Sequence, residues 1–286
     1  MAVLAKTIAE TRERLAAARA AGATVGLVPT LGALHAGHVS LIRAAREETD
    51  FVAVSVFVNP PQFSDRSDLE AYPRTLDADL DVCRRERVDL VFAPSAAEMY
   101  PDAFGTTVRV GGMGEKMCGA FRPGHFDAVC TVVAELLGIV RPDVAYFGEK
   151  DAQQLAIVRR MTADLNLPVR IRACPTVRDP DGLALSSRNA RLSADERRHA
   201  LALGRALVEA RKRIEAGDRD ARALAEAVRD RLEAAEGLDL EYVSAVDPDT
   251  LEDVGRIRDR ILMAVAARVG PARLIDNIVL RNLEAE

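Results

Sequence analysis

The sequence predicts an α/β protein: a doubly wound parallel sheet followed by a smaller C-terminal α+β domain. Three observations lead there. Short apolar runs alternate with helical patterns between residues 24 and 173, as parallel strands joined by crossover helices require. The run Phe51-Val52-Ala53-Val54-Ser55-Val56-Phe57-Val58 is almost continuously apolar and β-branched, which suits a strand buried on both faces. After residue 176 two charged helical segments are followed by three strand-like runs. The domains are therefore expected over residues 1–176 and 177–286.

Taken in order, residues 6–20 carry an Ala-rich helical pattern, and residues 24–28 form a strand that ends in a tight turn. A helix continues through Val39, Leu41, Ile42 and Arg46. The strand from Phe51 stops at the polar, proline-rich Asn59-Pro60-Pro61-Gln62-Phe63. Residues 76–87 read as a helix, 89–92 as a short strand and 106–110 as another. Residues 111–124 are rich in Gly and charge without periodicity, and a connection of that length points to a lid or binding role. Residues 126–140 are a strongly apolar helix, and Val144-Ala145-Tyr146-Phe147 is a strand leading into Gly148-Glu149-Lys150-Asp151. A helix through Leu155, Ile157, Val158 and Met161 and a strand at 169–173 complete the series. Residues 176–189 are a turn-rich connector. Ser193-Ala194-Asp195-Glu196 is a capping box that starts a long helix. A second helix covers 219–235, and strands follow at 241–246, 261–266 and 274–280.

Composition narrows the function. A chain of 286 residues suits two domains. Trp is absent and aromatics make up 4%, so the core rests on Ala, Val, Leu and Ile. A net charge of −5 counts against a general nucleic-acid binder, which needs a basic face. No apolar run reaches the roughly 18 residues of a membrane span, and the first residues lack a signal-peptide pattern. Cys83, Cys118, Cys130 and Cys174 are scattered, with no CxxC, which fits reduced thiols in a cytoplasmic protein.

Ligands of doubly wound sheets bind beyond the carboxyl ends of the strands. Three polar clusters, at 30–38, 59–62 and 148–154, fall at such ends. In the first, Gly32 permits a sharp turn, and His35 and His38 lie three apart on one face of the expected helix. A helix N-terminus favours an anion through its N–H groups and dipole, and Gly37 lets a phosphate or base approach the backbone. The reading is a nucleoside triphosphate at the strand-to-helix turn, with imidazoles aimed at its phosphates. The same pair also fits a zinc site, although helical zinc pairs are usually four apart, or plain helix caps. Lys150 begins a helix at the rim, where it meets β- or γ-phosphate oxygens or simply pairs with Asp151. Ser186, Ser187 and Arg188 offer two hydroxyls and a guanidinium fork in a mobile linker, which suits closure over a triphosphate or a turn starting the next helix. There is no Walker A sequence and no GxGxxG.

Six ordered motifs carry a resemblance. They are Pro29-Thr30-Leu31-Gly32-Ala33-Leu34-His35-Ala36-Gly37-His38, Phe57-Val58-Asn59-Pro60-Pro61-Gln62-Phe63, Tyr72-Pro73-Arg74-Thr75, Arg122-Pro123-Gly124-His125-Phe126, Phe147-Gly148-Glu149-Lys150-Asp151 and Leu185-Ser186-Ser187-Arg188-Asn189. The HxGH turn resembles the signature of the nucleotidylyltransferase superfamily. The full set resembles the pantothenate synthetases (pantoate–β-alanine ligases), from about residue 20 to 195 and more weakly beyond.

The resemblance implies a Rossmann-like nucleotide- and pantoate-binding first domain and a C-terminal lid. It implies that ATP activates pantoate as an adenylate, releasing pyrophosphate, and that β-alanine then displaces AMP to give pantothenate. His38, His35, Lys150 and Arg188 would be catalytic. The first motif, with Gly148, Glu149, Lys150, Asp151, Val177, Leu185, Ser186, Ser187 and Arg188, would border ATP. Gln62 and Gln154 would bind pantoate, with Asn59, Arg122 and His125 as further contributors. Mg²⁺ would accompany the triphosphate through phosphate oxygens and water, and a homodimer is implied. Leu31 and Leu185 stand where relatives often have Met, a swap close in volume. Ala78 interrupts an acidic run, so Asp79 is not assigned to a metal. Two other readings remain: a nucleotidylyltransferase that keeps the nucleotide on its product, and a catalytically silent nucleotide-binding scaffold.

Overall fold

The computed structural model describes residues 2–283. The chain divides into two compact units: Met1–Gly114 with Arg122–Gly148 and Ile157–Cys174, and Glu115–Phe121 with Glu149–Ala156 and Pro175–Glu286. Two short segments from the first 176 residues therefore belong with the C-terminal unit.

The first unit is built on six strands: β1 (Val3–Ala5), β2 (Val25–Thr30), β3 (Phe51–Val56), β4 (Leu90–Phe92), β5 (Val144–Gly148) and β6 (Arg170–Cys174). All pairings are parallel, in the order β1-β4-β3-β2-β5-β6. Across both units the described α-helices are α1 (Ile8–Ala20), α2 (Ala36–Glu48), α3 (Arg66–Glu70), α4 (Leu76–Arg85), α5 (Ala96–Met99), α6 (Cys118–Phe121), α7 (His125–Val140), α8 (Ala152–Asp164), α9 (Ala194–Glu215) and α10 (Ala221–Glu233). From β2 the chain steps one way to β3 and β4, and later the other way through β5 and β6. The order thus reverses between β2 and β5, and the turn after β2 emerges at that switch point.

Val28, Ile42, Ala45, Val52, Val54 and Tyr146 are fully buried where α2 covers the sheet. The packing leaves no room at Gly26, where a Cβ would lie 2.5 Å from Thr49 Oγ1 and 3.2 Å from Tyr146. Two expectations change. Residues 106–110 do not pair as a strand; the Val108 N–H instead donates to Thr131 Oγ1 at 3.0 Å. The three-residue β1, too short to show a period, adds an edge strand beside β4.

The second unit holds a meander of β7 (Asp239–Val246), β8 (Ile261–Val269) and β9 (Ala272–Leu280), antiparallel throughout. Leu203, Leu207 and Ile214 of α9 and Leu224 and Leu232 of α10 share a core with Ile261, Met263 and Val265. The predicted capping box forms: Glu196 N–H donates to Ser193 Oγ (3.2 Å), and Ser193 N–H to Glu196 Oε2 (2.7 Å).

Residues 111–124, read from the sequence as a loop without periodicity, include α6 and a 3₁₀ turn, Met113–Glu115. Buried Gln153 holds them, accepting from Cys118 N–H (3.0 Å) and donating to the Lys116 carbonyl (2.7 Å). The expected mobile linker is a hairpin: Leu185 N–H donates to Val177 O (3.0 Å), and Arg197 grips Asp179 and Asp181 at 2.6 and 2.9 Å. All four cysteines are buried and outside any disulfide, and burial pushes Cys83 and Cys130 up to about 12, which leaves them unreactive.

Candidate active site

In the first unit the HxGH turn is a braced structure. Thr30 Oγ1 donates to the Ser55 carbonyl (2.7 Å) and accepts from Gly32 N–H (3.1 Å). Gly32 adopts φ +83°, as the turn requires, and Ala33 follows at φ +51°. Asp79 of α4, buried, reaches back with both carboxylate oxygens. Oδ2 accepts Ala33 N–H (3.0 Å) and Oδ1 accepts Leu34 N–H (2.8 Å).

His35 lies outside the helix, which corrects the expectation that both histidines share a helical face. It is the N-cap of α2, with φ −126° and ψ 177°, and its Nδ1 accepts Gly37 N–H at 3.1 Å. His38, at the third helical position, returns the bond: its Nδ1 accepts His35 N–H at 3.2 Å. The pair thus builds a capping box from two imidazoles, with ring centroids 4.1 Å apart. The helix-cap alternative is therefore realised. It also has a chemical consequence. A neutral ring that accepts through Nδ1 carries its proton on Nε2, so both imidazoles are Nε2–H donors at a helix N-terminus. The first turn of α2 contains no acidic residue to offset the helix dipole. Leu31 and Ala36 complete the backbone of the motif.

Four of the expected substrate residues come together in the same unit. Fully buried Asn59 donates through Nδ2 to the Ala128 carbonyl (3.2 Å) and, at 3.5 Å, to Gln62 Oε1. Its Oδ1 accepts from Tyr100 OH at 2.7 Å. Arg122 Nη2 and His125 Nδ1 both donate to the Gln62 carbonyl, at 2.9 and 2.8 Å. Because a carbonyl only accepts, His125 carries its proton on Nδ1, and its Nε2 faces Arg122 Nη1 at 3.3 Å. Its tautomer is the reverse of that at His35 and His38. Asn59, Arg122 and His125 therefore converge on Gln62 itself.

Gly148 ends β5 in the first unit, and the second unit contains the remaining candidates. Glu149–Asp151 is a 3₁₀ turn ahead of α8, so Lys150 precedes the helix rather than beginning it. Gln154 is half-buried on α8. Ser186 caps the 3₁₀ turn Ser187–Arg191, accepting Arg188 N–H at 3.3 Å. Asn189 ties that turn back by donating to the Ala184 carbonyl (3.0 Å).

Sequence reading missed Asp79 as the brace of the HxGH turn, Tyr100 as the partner of Asn59, and Asn277. The Asn277 Nδ2 donates to the carbonyls of Glu149 (3.0 Å) and Lys150 (2.8 Å). Among the described residues, no group of three His, Cys, Asp or Glu is placed to hold a metal, and no helix is long and apolar enough to cross a membrane.

Residues 3–279 match the family model described as Pantoate-beta-alanine ligase. A pantothenate synthetase of Thermoanaerobacter sp. (strain X514) is 49% identical over 277 residues, covering 97% of this chain and 98% of that one. A crystal structure of pantothenate synthetase from Thermus thermophilus superposes with a TM-score of 0.91 at 43% identity, covering 99% and 100% of the two chains. A pantoate-beta-alanine ligase from Francisella tularensis, solved in complex with beta-gamma ATP and beta-alanine, gives 0.78 at 32% identity and 98% coverage of both.

Proposed function

Since the chain belongs to the pantoate-beta-alanine ligase family, we propose that it joins pantoate to β-alanine in an ATP-dependent reaction, by way of a pantoyl adenylate. The pantoate carboxylate attacks the α-phosphorus of ATP, and pyrophosphate leaves. The β-alanine amine then attacks the acyl carbon of the mixed anhydride, and AMP leaves as pantothenate forms. A carboxylate is a poor acyl donor, and AMP makes it a reactive one. The protein need only align reactants and stabilise charge that grows on phosphate.

The observation that carries this reading is the imidazole capping box, which aims two Nε2–H donors from a helix N-terminus. In the proposal His38 and His35 donate to phosphate oxygens. Lys150 and Arg188 supply positive charge, with Ser186 and Ser187 as hydroxyl donors. The backbone of residues 29–38, Gly148, Glu149, Asp151, Val177 and Leu185 borders the nucleotide. Gln62 and Gln154 bind pantoate through their amides. Asn59, Arg122 and His125 act through Gln62, which they hold at both its side chain and its carbonyl.

Mg²⁺ enters as part of the MgATP substrate, held by phosphate oxygens and water, a coordination that needs no protein cage. The carboxylate of Asp79 is engaged by two backbone N–H groups, which fits leaving it out of any metal shell. The proposal also includes a homodimer in the cytoplasm, tested by sedimentation of the purified chain and by cell fractionation.

The experiment is product analysis with ATP, pantoate and β-alanine. Multiple-turnover formation of AMP and pyrophosphate that depends on both pantoate and β-alanine, together with pantothenate, is the expected result. Release of ADP overturns the reading. A nucleotide retained on the product identifies a nucleotidylyltransferase, and ATP binding without turnover identifies a silent scaffold.

A further inference from the structure

β9 is an edge strand of the second unit's sheet, and two adjacent buried residues on it reach in different directions. Successive side chains of a strand point to opposite faces. On one face, Asn277 donates its amide hydrogens to the carbonyls of Glu149 and Lys150, at 3.0 and 2.8 Å. On the other, Asp276 takes the Arg178 guanidinium in a bidentate pair, at 2.7 and 2.8 Å. Both residues are buried, at 4% and 6% exposure for Asp276 and Asn277.

Arg178 belongs to the hairpin that continues into Leu185 to Arg188. It bridges Ala184, and Val177 O accepts Leu185 N–H. One dipeptide therefore fixes both the Lys150 turn and the base of the Ser186–Arg188 segment. The two are well separated in sequence, and the strand that carries the dipeptide is common to both.

We infer that Asp276 and Asn277 are positioning residues for the phosphate-binding groups, setting the backbone from which Lys150 and Arg188 project. In this role they act through the backbone they hold, not on substrate. The inference rests on the assignment of Lys150 and the Ser186–Arg188 segment to ATP. A fixed backbone matters because displacement of a charge-stabilising group by about 1 Å costs on the order of 10²-fold in rate.

The test uses the full chain and pantoate-dependent exchange of pyrophosphate into ATP, which reads adenylation alone. Asn277→Ala removes both donors, and Asn277→Asp keeps the shape while turning an acceptor toward two carbonyls. The expected result for both is a loss of about tenfold or more in exchange rate per ATP KM. The KM for β-alanine in the complete reaction stays within about twofold, and each variant still unfolds in one cooperative transition, at a lower temperature because the two carbonyls lose their donor.

A smaller loss in exchange, or a loss that appears only in the β-alanine KM, overturns the inference while wild-type exchange proceeds. Absence of exchange in the wild type overturns instead the adenylate reading on which it rests. If neither variant folds, Asp276→Asn carries the same test: it weakens the Arg178 pair at constant volume, and the same exchange threshold decides.

Discussion

Asp79 Oδ1 accepts the backbone N–H of Leu34 at 2.8 Å while Oδ2 takes the neighbouring N–H of Ala33. A single carboxylate from α4 thus satisfies the two donors exposed by the turn that precedes the imidazole cap. Asp79→Asn leaves one oxygen for two donors and faces an amide N–H₂ toward the other. The expected cost is about 1–3 kcal/mol of stability, the range for an unsatisfied buried donor. It should appear in urea denaturation, together with a raised KM for ATP. An unchanged unfolding midpoint would remove Asp79 from this role.

The two roles of His38, cap and phosphate donor, separate by substitution. Asn places an acceptor near the position of Nδ1 but nothing at Nε2. His38→Asn is expected to keep the capping bond to His35 and to lose about 10²–10³-fold in kcat, as when one charge-stabilising donor is deleted. His38→Ala should lose a similar factor and also about 1 kcal/mol of stability with the cap. Single-turnover adenylate formation, beside thermal melts of both variants, checks this. Activity of His38→Asn within about threefold of wild type would leave the ring a cap only.

Glu135 of α7 contributes a pH dependence. Its Oε2 is buried with no hydrogen-bond partner among the described residues, and burial raises its pKa from 4.5 to about 7. A carboxyl whose folded value is raised binds its proton more tightly in the native state. Its contribution to stability is neutral below the unfolded value near 4.5, turns unfavourable as pH rises through the window to about 7, and is constant above it. Glu135→Gln is therefore expected to melt higher than wild type at about pH 8, with the gap shrinking toward pH 4.5. Calorimetry at the two pH values checks the direction. A gap that widens on acidification contradicts the assignment.

Gly26 has a packing reason to be glycine. A Cβ there would lie 2.5 Å from Thr49 Oγ1, itself bonded to the Ala45 carbonyl. Gly26→Ala is expected to destabilise by about 1–3 kcal/mol, the usual cost of overpacking, as a fall in the guanidinium midpoint. The strand it disturbs is the one that ends in the HxGH turn.

The parallel sheet was legible because its strands announce themselves locally. Phe51 to Val56 is apolar but for Ser55, and the helices between strands are long enough to show a period. The C-terminal meander was legible for the same reason. Residues 106–110 misled, since an alternating polar pattern also suits an extended segment bonded to one threonine. The HxGH turn, Asn59, Gln62 and the Lys150 turn were legible as polar clusters at strand ends. What holds them was not. Asp79 is 45 residues from Leu34, and Asn277 is 127 residues from Lys150. No local periodicity encodes contacts of that separation. The capping role of His35 was weighed only as an alternative, because imidazoles rarely take the place of Ser and Glu in a capping box.

The bond between residue 277 and the turn at 149–150 also has a meaning in time. Synthesis runs from the N-terminus, and domains fold as they emerge. All six parallel strands have been made by Cys174, yet the carbonyls at 149 and 150 wait for an amide partner on the last strand of the chain. A nascent polypeptide thus carries the Lys150 turn without these two bonds until β9 is made. If that lysine faces ATP as proposed, its turn gains this pair of bonds only once β9 is in place.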